Sequence, residues 1–89
     1  MKLSDKPTIP AQVMARQVGG ETVILDLGSG TYFGLDPVGA RAWQLIGEGK
    51  TLAEVCDTLF DEYDVARDTL ERDILDLVEK LQAQNLITL

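Results

Sequence analysis

The chain has no histidine, one cysteine, three prolines, five aromatic residues and no long apolar run. Each shortage removes a class of chemistry. Without histidine there is no Ser-His-Asp or Cys-His constellation and no imidazole metal site. One cysteine permits neither a zinc ribbon nor an internal disulfide. Cys56 falls within a helical apolar pattern and reads as a small buried hydrophobe, which fits a reducing compartment. The first fifteen residues, MKLSDKPTIPAQVMA, carry two prolines and no continuous apolar stretch, so they are neither a secretion signal nor a membrane span. The expectation is a cytoplasmic protein with no cofactor and no membrane partner.

Positive charge is also scarce. Fifteen acids face eight bases, for a net charge of −7, and most of the acids lie between Glu48 and Glu79. Such a field repels phosphate backbones, which argues against nucleic acid as a partner. At 89 residues the chain is one small domain that buries about 60–65% of the surface its unfolded form exposes. A deep active-site cavity is not expected, but the 45% apolar content is enough for a core without metal or disulfide.

Pro7 and Pro10 make residues 1–10 a flexible or extended lead-in, with a single domain over 11–89. Gln12 to Val18 reads as a strand, followed by Gly19-Gly20 as a hairpin turn. The next strand, ETVILDL, puts Val23, Leu25 and Leu27 on one face and Thr22, Ile24 and Asp26 on the other. Gly28-Ser29-Gly30 turns the chain into TYFGL, where Thr31, Phe33 and Leu35 share a face and Tyr32 takes the opposite one. Asp36-Pro37 starts a helix, because the carboxylate accepts from free amides and proline at the first position wastes no N–H. Thr51 to Glu54 is a capping box opening a second helix, with Leu52, Val55, Cys56, Leu59, Phe60 and Tyr63 along one stripe. A third helix spans roughly Arg67 to Gln84, with Leu70, Ile74, Leu77, Val78 and Leu81. Strands first and helices after them indicate an α+β fold.

Gly28-Ser29-Gly30 is no phosphate loop, since it joins two strands and no lysine follows. The acids of the third helix match no calcium loop, and basic residues are interleaved among them.

From Leu25 to Leu89 the stretches LDLGSGTYFGLDPVGARAW, TLAEVCDTLFDEYDV and LERDILDLVEKLQAQNLI resemble the PqqD-like peptide-recognition domains of ribosomal peptide-modification pathways. The form YFGLDPVGARAW is most similar to the stand-alone branch from lasso-peptide pathways. The resemblance implies a winged-helix-turn-helix-like fold, a three-stranded antiparallel sheet followed by three helices. It implies no catalysis. A precursor leader peptide would bind as a fourth strand against the third strand and third helix, for delivery to a leader peptidase and an ATP-dependent cyclase or another modifying enzyme. Ala66 departs from the capping serine or threonine of many relatives, which bears on the start of the third helix.

The residues alone support the same idea. TYFGL has neither lysine nor proline to protect it as an edge strand, and an extended peptide can complete such an edge. The expected contacts are Thr31, Tyr32, Phe33, Gly34 and Leu35 on the strand. On the third helix one flank offers Leu70, Asp73 and Leu77 with Asp76 near the rim, and the other offers Leu75. The first flank is the favoured one, its carboxylates suited to pairing with a basic leader residue. The same fold also supports a winged-helix nucleic-acid-binding protein, against which the acidic third helix argues.

Overall fold

A computed structural model describes residues 1–89 as three strands followed by three helices. Strand β1 is Val13–Val18, β2 Glu21–Asp26 and β3 Tyr32–Leu35, forming an antiparallel sheet in the order β1-β2-β3. Gly19 and Gly20 both adopt positive φ in the first hairpin, as its two-residue turn requires. The second turn is held by the buried carboxylate of Asp26, whose Oδ1 accepts from the amides of Gly28 and Ser29. Helix α1 (Pro37–Gly47) packs against β2 and β3, and α2 (Leu52–Glu62) and α3 (Arg67–Ala83) pack against α1 and against each other.

The face of β2 turned to the helices is the mixed one. Ile24 is fully buried between Thr22 and Asp26, while Val23 and Leu25 are half-buried and Leu27 is 61% exposed. Cross-strand partners share a face, so Phe33 beside Ile24 and Leu35 beside Thr22 also turn inward. Met14, Leu25 and Tyr32 form a row on the open outer face. Strand alternation separated the two sets correctly, but the more apolar set is the outer one.

Asp36 caps α1 by accepting from the Gly39 amide at 2.7 Å. The capping box of α2 is complete: Thr51 Oγ1 accepts from the Glu54 amide at 3.2 Å, and Glu54 Oε1 accepts from the Thr51 amide at 2.8 Å. Helix α3 has no side-chain cap at Ala66. Its first turn is anchored instead by Arg67, which pairs with Asp57 at 2.8 Å and Glu71 at 2.7 Å and lies over the Phe60 ring. The helix ends where Asn85 takes positive φ, and the Leu86 amide donates to the Leu81 carbonyl in a Schellman arrangement. Leu86 and Ile87 then return to the core, whereas Leu89 stays exposed.

The lead-in makes a turn in which the Asp5 amide donates to the Lys2 carbonyl, and then lies against the start of α2 and the last residues of the chain. The amides of Leu52 and Ala53 donate to the carbonyls of Asp5 and Leu3, Thr8 and Thr88 exchange backbone hydrogen bonds, and Pro7 is fully buried. With Thr51 serving the third position, the arm satisfies the two remaining first-turn amides of α2.

The hydrogen bond from the Thr51 amide holds the Glu54 carboxyl below its ordinary value of 4.5. A carboxylate with a lowered folded pKa contributes stability above its unfolded value and loses it as pH falls through the folded one. Glu54→Gln is therefore expected to lower stability at neutral pH and to flatten the acid limb below pH 4.5. Urea unfolding followed across pH checks this; an acid limb identical to that of the parent would assign the pH dependence elsewhere.

Candidate functional site

The free edge of β3 is the feature around which the site is built. Strand β2 covers its other edge, and no segment of the chain pairs with this one. Which backbone groups it presents follows from hydrogen-bond phase. The Asp26 amide donates to the Thr31 carbonyl at 2.8 Å, in the same register as the pairs Leu25↔Tyr32 and Ile24↔Phe33. In an antiparallel ladder hydrogen-bonded and non-bonded pairs alternate. Thr31, Phe33 and Leu35 thus direct their polar groups to β2, and Tyr32 and Gly34 direct theirs outward.

Beside this edge runs a cleft of about 450 Å³ lined by Gly34, Leu35, Asp36, Val38, Gly39, Val65, Thr69, Leu70, Asp73, Ile74 and Leu77. The end of β3, the first turn of α1 and the N-terminal half of α3 form its walls. Gly39 lets these elements close up: a Cβ there would stand 3.3 Å from Leu35 Cδ2 and 3.5 Å from Leu77 Cδ2. A shallower depression lined by Gly20, Glu21, Gly34, Leu35, Asp36 and Pro37 continues the cleft around the end of β3.

The structure brings Gly34, Leu35, Leu70, Asp73 and Leu77 together in the cleft. Phe33 is half-buried on the helix side, and Tyr32 is 74% exposed on the outer face of the same strand. Thr31 immediately precedes β3, its hydroxyl bonded to Ser29. Leu75 and Asp76 lie apart, in a separate depression with Asp68, Glu71, Arg72 and Glu79, and Asp76 pairs with Lys80 at 3.0 Å. Asp36, Val38, Gly39, Val65, Thr69 and Ile74 complete the cleft without having been singled out as contacts in the sequence. Thr69 lies one turn before Asp73 on the Leu70-Leu77 flank and was legible once that flank was chosen. Val65, an isolated exposed hydrophobe between two helices, carried the only other signal.

Asp36 has one carboxylate oxygen committed to its cap, and Asp73 has no hydrogen bond or ion pair within the chain. No lysine or arginine lines the cleft. The arrangement offers a backbone ladder, apolar side-chain sites and acidic margins. Cys56 is fully buried in the core, away from this surface, and burial pushes its thiol pKa up.

The family model described as "Coenzyme PQQ synthesis protein D (PqqD)" matches residues 21–87. Among solved structures, "TbiB1 in Complex with the TbiA(beta) Leader Peptide" is 42% identical over 90% of this chain and 93% of that one, with a TM-score of 0.81. "Lasso peptide synthetase B1 complexed with the leader peptide" is 29% identical over 96% of this chain and all of that one, with a TM-score of 0.84. No curated protein matches the sequence.

Proposed function

This chain belongs to the PqqD family, and from that membership we propose that it is a non-catalytic binding protein for the leader segment of a ribosomally made precursor peptide. The observation that carries the reading is the unpaired β3 edge running beside an apolar cleft, in a fold shared with two structures described as leader-peptide complexes.

The leader adds to the sheet as a fourth strand along β3. Its residues opposite Tyr32 and Gly34 exchange backbone hydrogen bonds, and their side chains face outward. The alternate residues, opposite Phe33 and Leu35, project towards α3. The cleft therefore takes side chains at i and i+2.

Affinity comes from those side chains. Each ladder bond contributes a net ~0.5–1.5 kcal/mol, and ordering each peptide residue costs about 1–2 kcal/mol, so pairing alone roughly cancels. Micromolar binding needs about −8 kcal/mol. Two or three apolar side chains, each contributing ~1.5–3 kcal/mol on burial, must supply most of it, against Leu35, Val38, Leu70 and Leu77.

Holding the precursor in this way raises its effective concentration near separate processing enzymes, a leader peptidase and an ATP-dependent cyclase or another modifying enzyme. That role belongs in the cytoplasm, and no helix of the chain is long and apolar enough to cross a membrane.

A titration of ¹⁵N-labelled protein with the synthetic precursor leader tests the reading. The expected result is slowed exchange at the Tyr32 and Gly34 amides and large shifts along Leu70, Asp73 and Leu77, little affected by salt. Perturbation centred on Leu75 and Asp76 would move the site to the other flank of α3; a response to duplex DNA with a steep salt slope would replace the peptide with nucleic acid.

A further inference from the structure

Acidic side chains gather at one end of the β3 groove. At the Leu35 end, Glu21 and Asp36 border the shallower depression and Asp73 borders the cleft, with no lysine or arginine lining either. Asp73 and Glu21 have no hydrogen bond or ion pair through their side chains, and Asp36 has one oxygen committed to the Gly39 amide. Elsewhere the carboxylates of Asp57, Glu62, Glu71 and Asp76 are matched by arginine or lysine, while Glu48, Asp61, Asp64 and Glu79 are unpaired but line no apolar cleft. At the Thr31 end the nearby carboxylate is Asp26, which is buried and spent on the turn amides. The groove is thus acidic at its Leu35 end.

A bound strand runs antiparallel to β3 in the more stable ladder, which sets its N-terminal side over the Leu35 end. We propose that the groove selects a peptide with a lysine or arginine on the N-terminal side of its two cleft-facing apolar residues, and that Asp36 and Asp73 read that charge. This rests on the leader-binding reading above. The apolar side chains supply affinity, and the charge fixes which way and in which register the strand lies, as charge complementarity does where apolar burial is unselective. The positive end of the α1 dipole opposes a cation here, but the Asp36 carboxylate already stands over that end, accepting from the Gly39 amide.

Selection of a displayed random peptide library on the intact chain tests the proposal, followed by affinities for a selected peptide and its Lys→Gln analogue. The variant is Asp36→Asn combined with Asp73→Asn; asparagine keeps the helix cap while removing charge. The expected result is enrichment of lysine or arginine before an apolar i, i+2 pair. The lysine peptide should bind about twofold to fivefold more tightly than its glutamine analogue, with that ratio falling to near one in the double variant. Selected peptides that perturb the Tyr32 and Gly34 amides but show no basic preference, or a ratio unchanged in the variant, would overturn the charge reading and leave leader binding intact. Selected peptides that perturb no amide of β3 would overturn both.

Discussion

Tyr32→Pro weakens leader binding by roughly tenfold to a hundredfold while leaving the domain folded. Proline removes the outward N–H of an edge residue, and an unmatched carbonyl on the bound peptide costs about 1–3 kcal/mol. The proline ring also stands where the incoming strand must approach. Edge positions tolerate proline because no native ladder bond is lost there. Gly34→Pro should behave alike, since its N–H also points outward. Phe33→Pro is the informative contrast, because its N–H faces Ile24 of β2 and its side chain packs against the core. That variant should lose stability first, by about 1–3 kcal/mol for the Ile24 carbonyl left without its ladder donor. Tyr32→Phe separates backbone from side chain and should bind within about twofold of the parent, its aromatic ring retained and its backbone unchanged. Isothermal titration with the synthetic leader, beside circular dichroism of each variant, reads all four. Parental affinity in both folded edge variants would remove β3 from the site.

Deleting residues 1–8 has the largest expected effect on stability. The arm looks dispensable by composition, yet it places the Leu3 and Asp5 carbonyls on the Leu52 and Ala53 amides and pairs Thr8 with Thr88. Met1 and Leu3 also pack on the core, and Pro7 is fully buried. Loss of capping costs about 0.5–2 kcal/mol, and newly exposed apolar surface adds roughly 25 cal/mol per Å². A total near 2–4 kcal/mol lowers Tm by about 10–25 °C in a domain of this size. Leader affinity of the protein that remains folded should be unchanged, because none of residues 1–8 lines the cleft. A Tm equal to the parent's would show that the arm contributes no net stability.

These two experiments fall on opposite sides of what the sequence revealed. Strand-then-helix order, the capped starts at Asp36 and Thr51, and the inward stripes of α2 and α3 were legible, because each depends on residues within one or two turns of one another; Phe60 is the exception, assigned to the α2 stripe but 44% exposed beside Arg67 at the stripe's margin. Alternation in TYFGL likewise put Tyr32 opposite Phe33 and Leu35. What the arm does was not legible: its partners at Thr88 lie eighty residues away, and proline marks an extended segment without saying what it lies against.

The sequence by itself determined the elements, their caps and the sets of residues that share a face, since local sterics and hydrogen bonding decide those. Only the tertiary structure decided three other things: that Ile24's face of β2 is the inner one, that Tyr32 and Gly34 hold the outward backbone groups, and that Leu70, Asp73 and Leu77 face β3 while Leu75 and Asp76 do not. Each of these is a phase. The rotation of a helix about its axis and the hydrogen-bond parity of a hairpin are set by how all the elements pack at once, and a periodic pattern alone is compatible with more than one choice.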